Sequence, residues 1–165
     1  MANYIFAIDP GTTQSAWVCY SPESKRIIMK MIESNESLLT RIRDMNRKSV
    51  STLAIEMVAS YGMPVGREVF ETCVWIGRFV EAAGMPFRFI YRMEVKMHLC
   101  HNSRAKDSNI RQAILDRYPQ TGGGKTPQVG TAKKPGPLFG FKKDLYSALG
   151  VAIVATETQV QEEDE

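Results

Sequence analysis

Two short apolar segments that each end in an acidic residue most constrain what this chain can fold into. Tyr4–Ile8 is followed by Asp9, and Ser51–Ile55 is followed by Glu56. Strands are depleted in Asp, and burying a charge is costly, so an acid that closes a strand needs a partner or a function. A helical pattern over 35–48 lies between the segments, which predicts a crossover and parallel pairing. Asp9 and Glu56 would then lie together at the carboxyl ends of neighbouring strands, where open α/β sheets keep their sites.

The rest of the chain predicts an α/β domain with a central mixed five-stranded sheet flanked by helices. Residues 14–20 and 25–32 are predicted strands that would form an antiparallel meander with the first strand, and 87–91 adds a fifth strand. Asn35 or Ser37 is the expected cap of the first helix. Apolar periodicity and stop signals predict helices over 35–48, 67–83, 93–100, 107–118 and 142–156.

The helix over 67–83 carries apolar residues on more than one stripe. A single sheet contact needs a narrower stripe than this. The second side is either buried within the domain or forms a dimer interface, and the sequence leaves both alternatives open.

Composition predicts one globular domain over 1–157. The chain has 165 residues, of which 44% are hydrophobic and 24% charged, enough for a sizeable core. Its formal charge of +3 includes the acidic run Glu162–Glu165, so the rest of the chain carries a larger net positive charge. The segment 119–137 is rich in Gly, Pro, Lys and Thr and is expected to be a flexible basic loop. The acidic tail over 158–165 is expected to be disordered.

The cysteine pattern and the apolar runs bear on location. Cys19, Cys73 and Cys100 are widely spaced and odd in number, which favours reduced thiols in an intracellular protein. The N-terminal apolar run lacks the basic region of a signal peptide. The longest apolar run, 148–155, is far below the roughly 20 residues of a membrane helix. We therefore expect a cytoplasmic protein with no membrane association.

Three acids form the candidate site: Asp9, Glu56 and Asp144, which begins the last helix. Taken alone, Asp9 could serve its own turn, and Asp144 could cap its helix or complement the helix dipole. If the three ionised acids lie close together, each pair of them repels by about 4 kcal/mol at 4 Å and an effective dielectric near 20. Either their pKa values then rise or a cation binds among them. Oxygen ligands without His or Cys favour Mg²⁺, with Mn²⁺ as a substitute. Two such ions suit phosphodiester hydrolysis.

Basic residues near the predicted site fit a phosphate-rich partner, and the alternative is a solvated basic surface. Tyr61, on the loop after Glu56, could stack on an unpaired base or have no role. The basic candidates for DNA binding are Arg104, Lys106, Arg111, Lys125, Lys133, Lys134, Lys142 and Lys143.

These acids and their sequence context resemble the RuvC family of Holliday junction resolvases, within the RNase H-like (retroviral integrase) superfamily, and look most similar to its shorter phage-borne members. The resemblance implies a homodimer that binds four-way DNA junctions and makes paired nicks with Mg²⁺, leaving 5′-phosphate and 3′-hydroxyl ends, with no nucleotide cofactor. It implies Asp9, Glu56 and Asp144 as catalytic metal ligands. The motifs that carry it are Ala7–Thr12, Leu53–Glu56, Val95-Lys96, Lys106-Asp107 and Asp144–Ala152.

Two positions depart from the family pattern. Bacterial members carry an Asp or His three residues before the last acid, where this chain has Phe141. Asp107 is the candidate replacement as a catalytic and metal-binding acid, and its alternative role is a helix N-cap. Family members tend to place an aromatic wedge three residues after the second acid, where this chain has Ala59, which leaves Tyr61 as a substitute.

Two other functions stay open. A branched-DNA-binding protein without catalysis would account for the Phe141 departure. An ATP-dependent phosphotransferase of the actin/hexokinase type also begins with a strand, Asp, Gly and Thr, but needs two such domains.

Overall fold

The computed structural model describes residues 3–163, and it describes side chains as far as residue 158. Within this range the chain forms a mixed sheet and flanking helices, in agreement with the predicted fold class. The elements are β1 Tyr4–Asp9, β2 Gln14–Ser21, β3 Arg26–Ser34, α1 Asn35–Asp44, β4 Val50–Met57, α2 Arg67–Ala83, β5 Phe87–Tyr91, α3 Arg92–Cys100, α4 Asp107–Leu115 and α5 Lys143–Glu163.

The sheet has the strand order β3-β2-β1-β4-β5. β1 pairs antiparallel with β2 and parallel with β4, and β4 pairs parallel with β5. The parallel pairing inferred from the two strand-plus-acid segments is therefore confirmed, with Ile8 opposite Ile55. The carboxyl ends of β1, β4 and β5 meet at one edge of the sheet.

Helices cover both faces of the sheet, which is why its central strands are apolar on both sides. One core joins α1 and α2 to the sheet through large side chains such as Trp17 and Phe79. The other core contains α3, α4 and α5. The small residues of α5, among them Ala148 and Ala152, are fully buried and allow the helix to lie close to β1 and β2.

Several helix ends differ from the sequence prediction. The N-cap of α1 is Ser34, whose hydroxyl accepts a hydrogen bond from the Ser37 amide at 3.2 Å, so neither Asn35 nor Ser37 is the cap. α1 ends before residue 48, and α4 ends before residue 118. α5 continues beyond residue 156 to Glu163.

Helix α2 is buried on one side only. Thr72, Ile76 and Phe79 face the core, whereas Phe70 and Val74 are each 62% exposed. The alternative in which the domain itself covers both sides of this helix is therefore wrong, and its outer apolar side is open to solvent.

The Gly-rich segment between α4 and α5 folds through its own backbone. The Gly122 amide donates to Pro127 O at 2.8 Å, and the Gly136 amide donates to Val129 O at 2.9 Å. A Cβ on Gly136 would lie 2.3 Å from Pro127 O, so this approach requires glycine. The described segment has neither helix nor strand over 119–137. Its flexibility stays a prediction.

The acidic tail lies partly outside the described residues. α5 is described through Glu163, and residues 164–165 are outside the structure's description, so the disorder expected over 158–165 stays a prediction. Between residues 3 and 163, no helix has both the length and the apolar character needed to cross a bilayer.

Candidate active site

Two acids meet at the carboxyl edge of the sheet. Asp9 is the last residue of β1, and Glu56 is the penultimate residue of β4. Because β1 and β4 run parallel with Ile8 opposite Ile55, the following residues project from adjacent strand ends. The two side chains are close enough for the charge of Glu56 to raise the pKa of Asp9. The sequence therefore identified a pair that folding does bring together.

The turn after Asp9 is fixed by a buried polar network. The Ser15 hydroxyl donates to Asn35 Oδ1 at 2.6 Å and accepts from the Gly11 amide at 3.2 Å. Asn35 Nδ2 donates to Gly11 O at 2.9 Å. The start of α1 thus holds the turn that follows Asp9, and this explains why Asn35 is fully buried rather than acting as the helix cap.

Burial and neighbouring charge raise the pKa of both acids. Burial, then the charge of Glu56 and then that of Asp144, against a lowering by Arg92, together raise the pKa of Asp9 from 3.8 to about 8. Burial also raises the pKa of Glu56, which the Arg92 guanidinium opposes. Both shifts favour a proton on the pair when no metal ion is bound, and the Arg92 guanidinium offsets only part of them.

Arg92 is the site residue that sequence reasoning missed. It directly follows β5, the third parallel strand that ends at this edge, which is the signal that could have identified it. Its Nη1 lies 3.8 Å from Glu56 Oε1, and its Nη2 pairs with Asp107. Nη1 is buried without a hydrogen-bond partner among the described residues. Leaving a buried donor unpaired costs about 1–3 kcal/mol, so this nitrogen is available to a ligand.

The other two predicted acids approach this pair from helix starts. Asp144 is exposed in the first turn of α5, and its charge raises the pKa of both Asp9 and Glu56. Asp107 is the first residue of α4, but the N-cap is Lys106, so the cap alternative for Asp107 is wrong.

Both carboxyl oxygens of Asp107 are engaged by cations. Oδ1 pairs with Arg92, and Oδ2 lies 3.5 Å from Lys143 Nζ. The Arg92 hydrogen bond holds the pKa of Asp107 below its usual value. Among the described residues, no three acidic, His or Cys side chains form a group that could hold one metal ion. The metal-ligand roles of Asp107 and Asp144 stay predictions.

Arg92 lines two cavities at this edge. A cavity of about 310 Å³ is lined by Asp9, Glu56, Tyr61 and Arg92, among others. A second cavity, of about 380 Å³, is also lined by Arg92. The residues of the second cavity used below are Asp107, Arg111, Phe141, Lys143 and Tyr146. Phe141 therefore lines the cavity next to the site and packs on Tyr146, with ring centroids 5.3 Å apart.

The predicted DNA-binding residues divide into three groups. Arg111 and Lys143 line the second cavity, and Tyr61, which is 64% exposed, lines the first. Lys106 and Lys142 directly precede Asp107 and Lys143 in the chain and are exposed. The remaining four are exposed on the loops before α4 and α5, and no described ion pair connects them to the acids: Arg104, Lys125, Lys133 and Lys134.

The mixed sheet in the order β3-β2-β1-β4-β5, flanked by helices, has the RNase H-like fold. No protein-family model matches the sequence, and comparison with curated proteins gives no match. Among solved structures, the chain is similar to Thermus thermophilus RuvC, with a TM-score of 0.67, 16% identity and 96% of each chain covered. T. thermophilus RuvC in complex with a Holliday junction substrate gives a TM-score of 0.66 at 15% identity, again covering 96% of each chain. At this identity the likeness shows a RuvC-like fold.

Proposed function

We propose that this chain is a metal-dependent, structure-selective DNA endonuclease that resolves Holliday junctions and other branched DNA by paired nicks, through two-metal phosphodiester hydrolysis. The observation that carries the proposal is the pairing of two partly buried acids, Asp9 and Glu56, at the ends of adjacent parallel strands. The RuvC-like fold supports it, since one similar structure is that of a RuvC protein with a Holliday junction substrate. An activity of this kind is that of a crossover junction endodeoxyribonuclease.

The donor set at the strand ends fits a hard divalent cation. Its ligands are carboxylate oxygens, which Mg²⁺ and Mn²⁺ prefer. The pair that shares a proton is a place where a cation can replace that proton and favour both ionised carboxylates. Asp9 and Glu56 would hold the ion. Asp144, whose charge raises the pKa of both, is the proposed third ligand. When bound, such ions supply activation of water and stabilisation of the leaving oxygen.

The residues around the acids would bind and orient the DNA. Lys143 and Arg111 place positive charge beside the acids, where a phosphate backbone must approach, and such contacts make binding salt-dependent. Tyr61, exposed at the cavity that contains Asp9 and Glu56, is positioned to stack on a base that leaves the helix at the branch point.

Paired nicks need two sites, and helix α2 offers the surface for a second copy of the chain. Phe70 and Val74 form an exposed apolar side of α2, and Met63 and Val65 are exposed on the loop before it. An exposed apolar patch on a helix is typical of a protein–protein interface. We propose that this patch, the α2 patch, joins two chains in a symmetric homodimer.

The test uses Asp9→Asn and Glu56→Gln, which keep size and hydrogen bonding but remove a charge. Cleavage of a strand-labelled four-way junction is measured in Mg²⁺ and in EDTA, beside a linear duplex of the same sequence. We expect wild-type cleavage of the junction only with metal, loss of at least about 10³-fold in rate for each variant, and retained junction binding.

Mapping of the product ends completes the experiment, with 5′-phosphate and 3′-hydroxyl ends expected. Asp116→Asn, an exposed position on the far end of α4, is the matched control. Cleavage unchanged in Asp9→Asn would refute the site assignment. Binding without any nicking by the wild-type protein would favour the non-catalytic binder.

A further inference from the structure

Arg92 carries an inference that rests on the proposed function and deepens it. Its side chain is 25% exposed and its Nη2 is held by Asp107. Its Nη1 faces Glu56 Oε1 across 3.8 Å, beyond hydrogen-bond distance, and has no hydrogen-bond partner among the described residues. One part of the guanidinium is therefore anchored, while a second nitrogen is buried and directed to the acid pair.

The Arg92 side chain borders two cavities. Arg92 lines the cavity of Asp9 and Glu56 and also that of Arg111 and Lys143. A DNA strand that follows the basic residues and presents a phosphate to the acids must pass Arg92. A guanidinium has five donors in a planar fork, so one nitrogen can remain on a carboxylate while another binds a phosphate oxygen.

We propose that Arg92 is a catalytic residue whose Nη1 donates to a non-bridging oxygen of the phosphate that is cleaved, and that Asp107 is a positioning residue that holds Arg92. In the reaction, a water oxygen forms a bond to phosphorus, the bond between phosphorus and the 3′ oxygen breaks, and the 3′ oxygen gains a proton. Arg92 keeps its own protons and stabilises the charge on the phosphate oxygens. Asp107, with one oxygen on Arg92 and the other near Lys143, is an anchor rather than a metal ligand.

A purely structural role for Arg92 predicts different results. As a counter-charge for buried acids, Arg92 would affect the stability of the metal-free protein but neither the number of DNA phosphates contacted nor the rate of a correctly folded variant. The dependence of junction affinity on salt reports phosphate contacts without catalysis, because each contact releases counterions. This measurement therefore separates the two roles.

The experiment compares Arg92→Gln, Arg92→Lys and Asp107→Asn with the wild-type protein. Arg26→Gln is the matched control, because Arg26 is exposed at the start of β3, which runs parallel to β1, and therefore lies at the opposite edge of the sheet. Junction affinity is measured in EDTA over a range of KCl concentrations, and single-turnover cleavage is measured over a range of Mg²⁺ concentrations. Urea denaturation shows whether each variant is folded.

For Arg92→Gln we expect a rate about 10²-fold lower and a salt slope reduced by about 0.9, the loss of one phosphate contact. Arg92→Lys retains the charge but not the fork, so the slope is restored and the rate only in part. Asp107→Asn lowers the rate while the Mg²⁺ concentration that gives half the maximal rate stays unchanged.

Three results would overturn the inference. The first is a wild-type rate or a wild-type salt slope in folded Arg92→Gln. The second, which applies if Arg92→Gln does not fold, is a wild-type rate in Arg92→Lys. The third is a raised Mg²⁺ requirement in Asp107→Asn, because this would make Asp107 a metal ligand. A wild-type protein that binds but does not cleave junctions would instead refute the proposed function, and the inference with it.

Discussion

The buried acid pair predicts that the metal-free protein loses stability as the pH rises. Burial, the Glu56 charge and the Asp144 charge raise the pKa of Asp9 from 3.8 to about 8. Between these values the folded state holds a proton that the unfolded chain has released. The free energy of unfolding falls wherever the folded state binds more protons, so this contribution is complete below pH 3.8 and is lost as the pH rises through about 8.

The magnitude follows from the same shift. Each pKa unit corresponds to about 1.4 kcal/mol, so the span from 3.8 to pH 7 sets a ceiling of about 4 kcal/mol. Because Glu56 shares the proton, Asp9→Asn removes part of this penalty rather than all of it. We expect Asp9→Asn to raise the free energy of unfolding at pH 7 by roughly 2 kcal/mol, and to flatten its pH dependence.

The assay is urea denaturation in EDTA at pH 5, 6, 7 and 8 and constant ionic strength. Asp44→Asn, exposed at the end of α1, is the control for the loss of an acidic charge far from the pair. Two results together would contradict this reasoning: the stability of the wild-type protein stays level or rises over this pH range, and Asp9→Asn is no more stable than wild type. They would show that the two carboxyls do not share a proton in the folded state.

Two further predictions concern other parts of the fold. Val74→Glu places a charge in the α2 patch and should convert a dimer into monomers in sedimentation velocity, whereas Glu68→Gln on the same helix should not; a Val74→Glu protein that still dimerises would exclude this surface. Gly130→Ala puts a Cβ 2.4 Å from the Gly136 amide nitrogen at a φ of 77°, so we expect a loss of about 1–3 kcal/mol and faster hydrogen exchange in the loop before α5. Gly66→Ala, where the added methyl meets open space, is its control, and equal stability of the two variants would contradict the tight packing.

The fold was predictable because its signals are local. Runs of strand-forming residues, the helix stop at Gly84 and the small residues of α5 indicated their elements, and the structure confirms them. Details that depend on packing were not predictable. Asn35 has the sequence preference of a helix cap, yet the structure uses it to hold the turn after Asp9 and leaves the cap to Ser34.

The site was predictable in part for the same reason. Asp9 and Glu56 are conspicuous because each closes an apolar strand. In the sequence, nothing distinguishes Arg92 from an ordinary exposed arginine. Only the pairing of β4 with β5 brings it close to Glu56. Likewise, the position of Asp107 in the sequence suggests a helix cap. In the folded chain, Asp107 instead pairs with Arg92 and Lys143.

The sequence by itself determined which segments become strands and helices, and it marked the acids that end two of the strands. Only the tertiary structure decided which charges face each other: that Glu56 raises the pKa of Asp9 at one edge of the sheet, and that Arg92 lies between Glu56 and Asp107. The physical reason is that local conformation depends on neighbours in the chain, whereas the interaction of two charges depends on their distance in space and on how far water is excluded between them.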